Sequence, residues 1–96
     1  MRKIRILTLE YCDACNWLKS ELGSEKIEYV NIDAEQNSEF ADSIEEKFKT
    51  KHYPIIFLES DKDVITILPE TELEPSPTLI TFTTIPQAIN LIKKYI

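Results

Sequence analysis

Glycine is almost absent from this chain of 96 residues, which contains a single one, Gly23. Loops that wrap phosphate groups need several glycines close together, so the dinucleotide-binding fingerprint and the P-loop are excluded. Basic residues are also few, with 11 against 17 acidic residues and a formal charge of −6. This balance argues against nucleic-acid binding, which needs a basic face, and against binding to an anionic membrane.

Long apolar runs are missing as well. The longest purely apolar segment, from Pro54 to Leu58, is far too short to span a bilayer. The opening residues, MRKIRILTLEY, mix apolar with charged side chains and lead to no small-residue cleavage site, unlike a signal peptide. With 43% apolar and 29% charged residues, we expect a single folded domain over residues 1–96, monomeric and cytoplasmic.

Apolar spacing predicts strands that alternate with helices along the chain. Strands are predicted at residues 3–9, 27–32, 55–59, 64–68 and 78–82, with helices at 12–22, after a cap at Asn37 or Ser38, and after a cap at Thr84. Gly23 is the expected stop of the first helix, and PETELEPSP at 69–77 is an expected exposed loop. The fold class is therefore α/β, a mixed sheet of four strands flanked by three helices, with 64–68 or 78–82 available as an added edge strand.

The two cysteines, Cys12 and Cys15, stand three residues apart where the first strand gives way to the first helix. Residues at this spacing on a helix have Cβ atoms about 5–6 Å apart, so dithiol and disulfide fit one backbone. The helix start favours a thiolate at Cys12, while Cys15 lies one turn deeper. Cys12 is therefore the candidate nucleophile of a thiol–disulfide exchange, and Cys15 the resolving thiol.

The cysteine pair has two other interpretations, a metal site and packing in the core. A tetrahedral zinc site needs four ligands, and beyond the two thiols the chain offers only His52, so no metal site is predicted. His52 itself is expected to face solvent at a helix end. Simple packing in the core would suit Cys15, which falls on the apolar face of its helix, but it would not suit Cys12.

The segment YCDAC after a strand, followed later by HYPIIFL at the start of the third strand, resembles the glutaredoxin branch of the thioredoxin superfamily. The resemblance covers nearly the whole chain and implies a thioredoxin fold. It implies a cis peptide bond before Pro54, and it implies that the backbone of Tyr53 pairs with the substrate like a short added strand. Tyr11, which precedes the first cysteine, is the matching candidate for an aromatic ring that lines the substrate groove.

The chain departs from that family's pattern at three places. The inner pair of the motif is Asp13-Ala14 instead of Pro-Tyr, Leu9 stands where a lysine is frequent, and TFTTIP replaces a Gly-Gly pair before the last helix. The remaining candidates for contact with glutathione are Thr83, Thr84 and Lys51.

The resemblance implies a thiol–disulfide oxidoreductase that reduces protein disulfides or glutathione mixed disulfides without a tightly bound cofactor. Its electrons would come from glutathione as co-substrate or from a reductase. The acidic residues Glu10 and Asp13 beside Cys12 disfavour anionic glutathione and favour a partner with basic residues near its disulfide. Two alternatives stay open, a thioredoxin-fold binding module with a structural dithiol, and two subunits sharing an iron–sulfur cluster through Cys12 and glutathione.

Overall fold

Strands and helices alternate along the chain in the computed structural model, which describes all residues from 1 to 96. The elements are β1 (Lys3–Thr8), α1 (Asp13–Ser24), β2 (Val30–Asp33), α2 (Ser38–Phe48), β3 (Ile55–Glu59), β4 (Val64–Leu68), β5 (Leu79–Thr81) and α3 (Ile85–Tyr95). No helix combines the length and the apolar composition that a membrane crossing requires.

The strands form one mixed sheet in the order β2-β1-β3-β4-β5. β1 is parallel to β2, β3 is antiparallel to both of its neighbours, and β5 is parallel to β4. Every strand except β3 therefore runs in the same direction. This arrangement is the expected thioredoxin fold with one added strand.

The uncertainty over the fourth strand is resolved by the pairing beside β3. Val64–Leu68 takes the fourth position, and Leu79–Thr81 is the added edge strand. The connection between them is a loop, as predicted, and it is attached to the end of α2. The Thr71 hydroxyl donates to the Phe48 carbonyl oxygen, and the Glu72 N–H donates to the Lys49 carbonyl oxygen at 3.2 Å.

The core lies on both faces of the sheet. Adjacent residues of β1 belong to different clusters, because Ile6 packs under α1 and α3 while Leu7 packs under α2. Both side chains are fully buried, as the sequence predicted for this strand. Since a fully buried leucine or isoleucine contributes about 1.5–3 kcal/mol, these contacts hold the helices against the two faces of the sheet.

Two helix ends differ from the prediction. Gly23 does not stop α1, which continues to Ser24, and the residue with a left-handed backbone after the helix is Lys26, with φ 56°. Asn37 occupies the N-cap position of α2, but its side chain makes no capping bond. It donates instead to the Asp33 carbonyl oxygen at 2.9 Å, because the preceding turn brings that acceptor within reach.

The second strand begins later than predicted, at Val30 instead of residue 27. Its pairing with β1 starts where Val30 meets Arg5. The segment before it still belongs to the turn after α1, since the Ile27 N–H donates to the Leu22 carbonyl oxygen at 2.9 Å. The apolar pattern of 27–29 reflects packing against the core, with Ile27 and Tyr29 half-buried there.

Candidate active site

The topology brings three predicted site segments to the same end of the sheet, where β1, β4 and β5 finish and β3 begins. Leu7 near the end of β1 pairs with Ile55 at the start of β3, and Leu68 at the end of β4 pairs with Thr81 at the end of β5. Three segments therefore lie at this end of the sheet: the loop after β1, the residues before β3, and the residues between β5 and α3. They carry, respectively, the two cysteines, Pro54 and the threonines before α3.

Cys12 is the N-cap residue of α1 and has an extended backbone, with φ −125° and ψ 105°. Its sulfur accepts a hydrogen bond of 3.1 Å from the Cys15 N–H. The two cysteines form a disulfide with a Cα–Cα distance of 5.2 Å, within the usual range for such a bond. Cys15 is fully buried, whereas Cys12 at the helix start is a partly exposed residue.

Carboxylates surround this helix start. Glu10 and Asp13 are exposed on either side of Cys12, and a carboxylate oxygen of Glu35 accepts from the Glu10 N–H at 3.3 Å. We call Glu10, Asp13 and Glu35 the acidic rim. A sulfur anion at Cys12 would be stabilised by the helix terminus and the Cys15 N–H and opposed by these negative charges.

The peptide bond between Tyr53 and Pro54 is cis, as expected, and Pro54 is fully buried. The Tyr53 hydroxyl donates to a Glu45 carboxylate oxygen of α2 at 2.7 Å. Burial and this hydrogen bond to a carboxylate raise the pKa of Tyr53 above its ordinary value. The main chain of Tyr53 forms no backbone hydrogen bond within the protein, so its N–H and carbonyl are available to an extended ligand.

Two aromatic side chains lie exposed near the disulfide. Tyr11 is 93% exposed immediately before Cys12, and Trp17 in α1 is 50% exposed. Both rings are accessible from solvent.

The threonines before α3 form hydrogen bonds with Gln87, which was not among the predicted site residues. The Thr84 hydroxyl caps α3 by accepting from the Gln87 N–H at 3.2 Å. The Gln87 side-chain oxygen accepts both the Thr83 N–H, at 2.7 Å, and the Thr83 hydroxyl, at 2.8 Å. The signal for this contact was the spacing Thr-x-x-Gln, which resembles a capping box.

Lys51 is exposed and makes no ion pair. It borders an open polar cleft of about 490 Å³ between the end of α2 and the loop that follows β4. His52 beside it is exposed, as predicted, and its Nε2 lies 2.8 Å from a Glu70 carboxylate oxygen. No group of three or more histidine, cysteine, aspartate or glutamate side chains is placed to hold a metal ion.

The glutaredoxin family model matches residues 4–64. The chain belongs to the glutaredoxin family. The matched region contains the two cysteines and Pro54 and reaches the start of β4. The added strand β5 and helix α3 lie beyond it, which agrees with the unusual segment before α3.

One solved structure shares the fold of this chain. A solved structure titled "Structure of a malarial protein" has a TM-score of 0.51 at 20% identity, over 98% of this chain and 98% of that one. At this identity the likeness shows the fold alone. Among the curated proteins, none matches this chain. As a glutaredoxin-family chain with two bridged cysteines, the protein has the groups for thiol redox chemistry.

Proposed function

We propose that this chain is a dithiol oxidoreductase that reduces disulfides in proteins or mixed disulfides with glutathione. The observation that carries the proposal is the asymmetry of the pair. Cys12 is a partly exposed residue at the start of α1, and Cys15 is fully buried one turn deeper, within bonding distance. A packing role would bury both sulfurs and would not place one of them at a helix N-cap.

The reaction proceeds from the reduced protein in two exchanges. The Cys12 thiolate attacks one sulfur of the substrate disulfide, so that a Cys12–substrate disulfide forms and the other substrate sulfur leaves as a thiolate, which takes up a proton. Cys15 then loses its proton and attacks the Cys12 sulfur, which forms the Cys12–Cys15 disulfide and releases the second substrate thiol. Two electrons pass from the protein to the substrate.

The substrate groove proposed here runs past Pro54. The free main-chain N–H and carbonyl of Tyr53 would pair with the backbone beside the substrate cysteine, which is how an extended segment adds to a sheet edge. Tyr11 would cover the substrate from the other side of Cys12. Thr83, Thr84 and Lys51 are the further candidates for contact with a glutathione moiety.

The oxidised protein must then be reduced by a thiol donor, either glutathione as co-substrate or a reductase, and no tightly bound cofactor is needed. We also propose that the protein works as a monomer in the cytoplasm, where a disulfide of this kind is a transient catalytic species. Turnover with glutathione compared with turnover with a thioredoxin-type reductase distinguishes the two donors.

The decisive experiment is covalent trapping. The Cys15→Ser variant, mixed with a peptide disulfide, is expected to accumulate a mixed disulfide through Cys12 that mass spectrometry can locate, because the second exchange is blocked. The Cys12→Ser variant is the matched control and is expected to trap nothing. Absence of an adduct in Cys15→Ser would overturn the proposal, and unchanged cellular function in Cys12→Ser would favour a binding module.

A further inference from the structure

Glu45 of α2 contacts both ends of the segment that joins this helix to Pro54. Its main-chain carbonyl oxygen accepts the Lys49 N–H at the end of the helix and the Thr50 N–H at 3.1 Å. Its carboxylate accepts the Tyr53 hydroxyl at 2.7 Å. The connection between α2 and β3 is therefore attached to one residue of α2 where it begins and where it ends.

The Tyr53 side chain is held on several sides. Its ring packs against the core cluster under α2, in which Leu7 and Ile55 are fully buried. Burial and the bond to Glu45 raise the pKa of Tyr53, so the phenol keeps the proton that it donates at neutral pH. The next residue, Pro54, is fully buried. The hydroxyl bond is the only one of these contacts that a small substitution can remove while the ring stays in the core.

The main chain of Tyr53 has no internal hydrogen bond that fixes its direction. A residue inside a sheet is oriented by the backbone bonds to its neighbouring strands, whereas this residue is oriented through its side chain and the buried Pro54. A peptide that pairs with Tyr53 binds more tightly when the N–H and the carbonyl are already ordered, because less conformational freedom is lost on binding.

We propose that Glu45 is a positioning residue, whose hydrogen bond to the Tyr53 hydroxyl holds the Tyr53 backbone in the direction that an extended peptide substrate needs. This inference rests on the proposed redox function and names its substrate class, disulfides carried by an extended peptide chain. A small disulfide without a peptide backbone cannot use this pairing. The contribution of Glu45 is therefore specific to peptide substrates.

The hydrogen bond can be removed separately from the charge. Glu45→Ala and Tyr53→Phe each remove the bond from one side, so the double variant should lose no more than either single variant. Glu45→Gln removes the charge but keeps a side-chain oxygen that can accept from the hydroxyl. Glu46→Ala, at the exposed neighbouring position without an ion pair, removes the same charge and is the matched control.

The first measurement compares exchange of the reduced proteins with two disulfides. One is an uncharged, extended peptide whose single cysteine is bridged to 2-mercaptoethanol, and the other is bis(2-hydroxyethyl) disulfide, which has no peptide backbone. Glu45→Ala and Tyr53→Phe are expected to lower the ratio of the peptide rate to the small-disulfide rate by about two- to tenfold, the effect of one hydrogen bond. Glu45→Gln should restore the ratio, and Glu46→Ala should not change it. An unchanged ratio in Glu45→Ala, or an equal loss in Glu46→Ala, would overturn the role of Glu45.

The second measurement does not depend on redox activity. The NMR order parameter of the backbone N–H at position 53, measured on the oxidised proteins, reports how tightly its direction is held. It is expected to fall in Glu45→Ala and Tyr53→Phe and to keep its natural value in Glu45→Gln and Glu46→Ala. An unchanged order parameter in Glu45→Ala would overturn the inference. If no disulfide reacts with any of the proteins, the redox function fails, and the order parameter still decides whether Glu45 holds this backbone.

Discussion

Tyr53 donates its hydroxyl hydrogen bond to Glu45 of α2, while its main chain precedes the buried Pro54 at the site. The side chain thus connects the residues before β3 to a helix, and the backbone stays free of internal hydrogen bonds. Because the phenol is partly buried and bonded to a carboxylate, its pKa is raised, and the folded protein retains the phenol proton at higher pH than the unfolded chain does.

Tyr53→Phe is expected to lower the free energy of unfolding by about 1 kcal/mol at neutral pH, the typical net contribution of such a partly exposed hydrogen bond. A raised folded-state pKa means that this contribution is fully present below the ordinary pKa of tyrosine, about 10, and is lost as the pH rises above it. The difference between the two proteins should therefore shrink in alkali. Urea unfolding at a series of pH values checks this, and a difference that is constant from neutral to strongly alkaline pH would contradict it.

Among the secondary-structure elements, α2 ends at a residue whose backbone conformation is unfavourable. Lys49, its C-cap, has a left-handed conformation with φ 51°. Its N–H still donates to Glu45, and its carbonyl oxygen accepts from Glu72 in the loop before β5. The left-handed residue therefore turns the chain out of the helix and towards the segment that leads to the site.

Lys49→Gly is expected to stabilise the protein by roughly 0.5–1 kcal/mol. The gain is the left-handed penalty of about 1–2 kcal/mol less the greater unfolded-state freedom of glycine, about 0.4–1 kcal/mol. Glu46→Gly, three residues earlier on the exposed side of the same helix, is the control and should destabilise by about 1 kcal/mol. Thermal unfolding measures both, and a loss of stability in Lys49→Gly would show that the lysine side chain itself matters.

The molecule as a whole carries a charge of −6, and the acidic rim places part of it around Cys12. Electrostatic attraction and repulsion of this kind change association rates and are screened by salt. The charge of the whole protein and the local carboxylates therefore both favour cationic partners.

Exchange with cationic cystamine is expected to slow as salt is added, exchange with anionic dithiodipropionate to accelerate, and exchange with neutral bis(2-hydroxyethyl) disulfide to stay constant. Stopped-flow rates between low and high ionic strength test this. Glu10→Gln should weaken both trends, since it removes one charge near Cys12, whereas Asp61→Asn in the β3–β4 turn should affect them less. Rates that are independent of salt in all three cases would contradict an electrostatic role for the rim.

Local patterns in the sequence were sufficient to predict the alternation of strands and helices and the position of the cysteines. Ile6 and Leu7 signalled a strand buried on both faces, and Thr84 signalled the start of α3, because each preference depends on neighbours in the chain. The cysteine pair at the end of β1 was likewise evident from spacing alone. The prediction that Gly23 ends α1 was wrong, because the residue with a left-handed backbone lies further on, at Lys26, where the turn into the next strand begins.

Only the tertiary structure decided which strand became the sheet's edge and which side chains complete the site. Both 64–68 and 78–82 had strand character, and the choice depended on pairing with β3, a contact between segments that local propensity does not describe. The bonds of Tyr53 to Glu45 and of Gln87 to Thr83 depend on the exact orientation of side chains after the backbone has turned. Residue type and spacing determine which reactive groups the chain contains. Packing determines which hydrogen-bond donors remain free to contact a substrate.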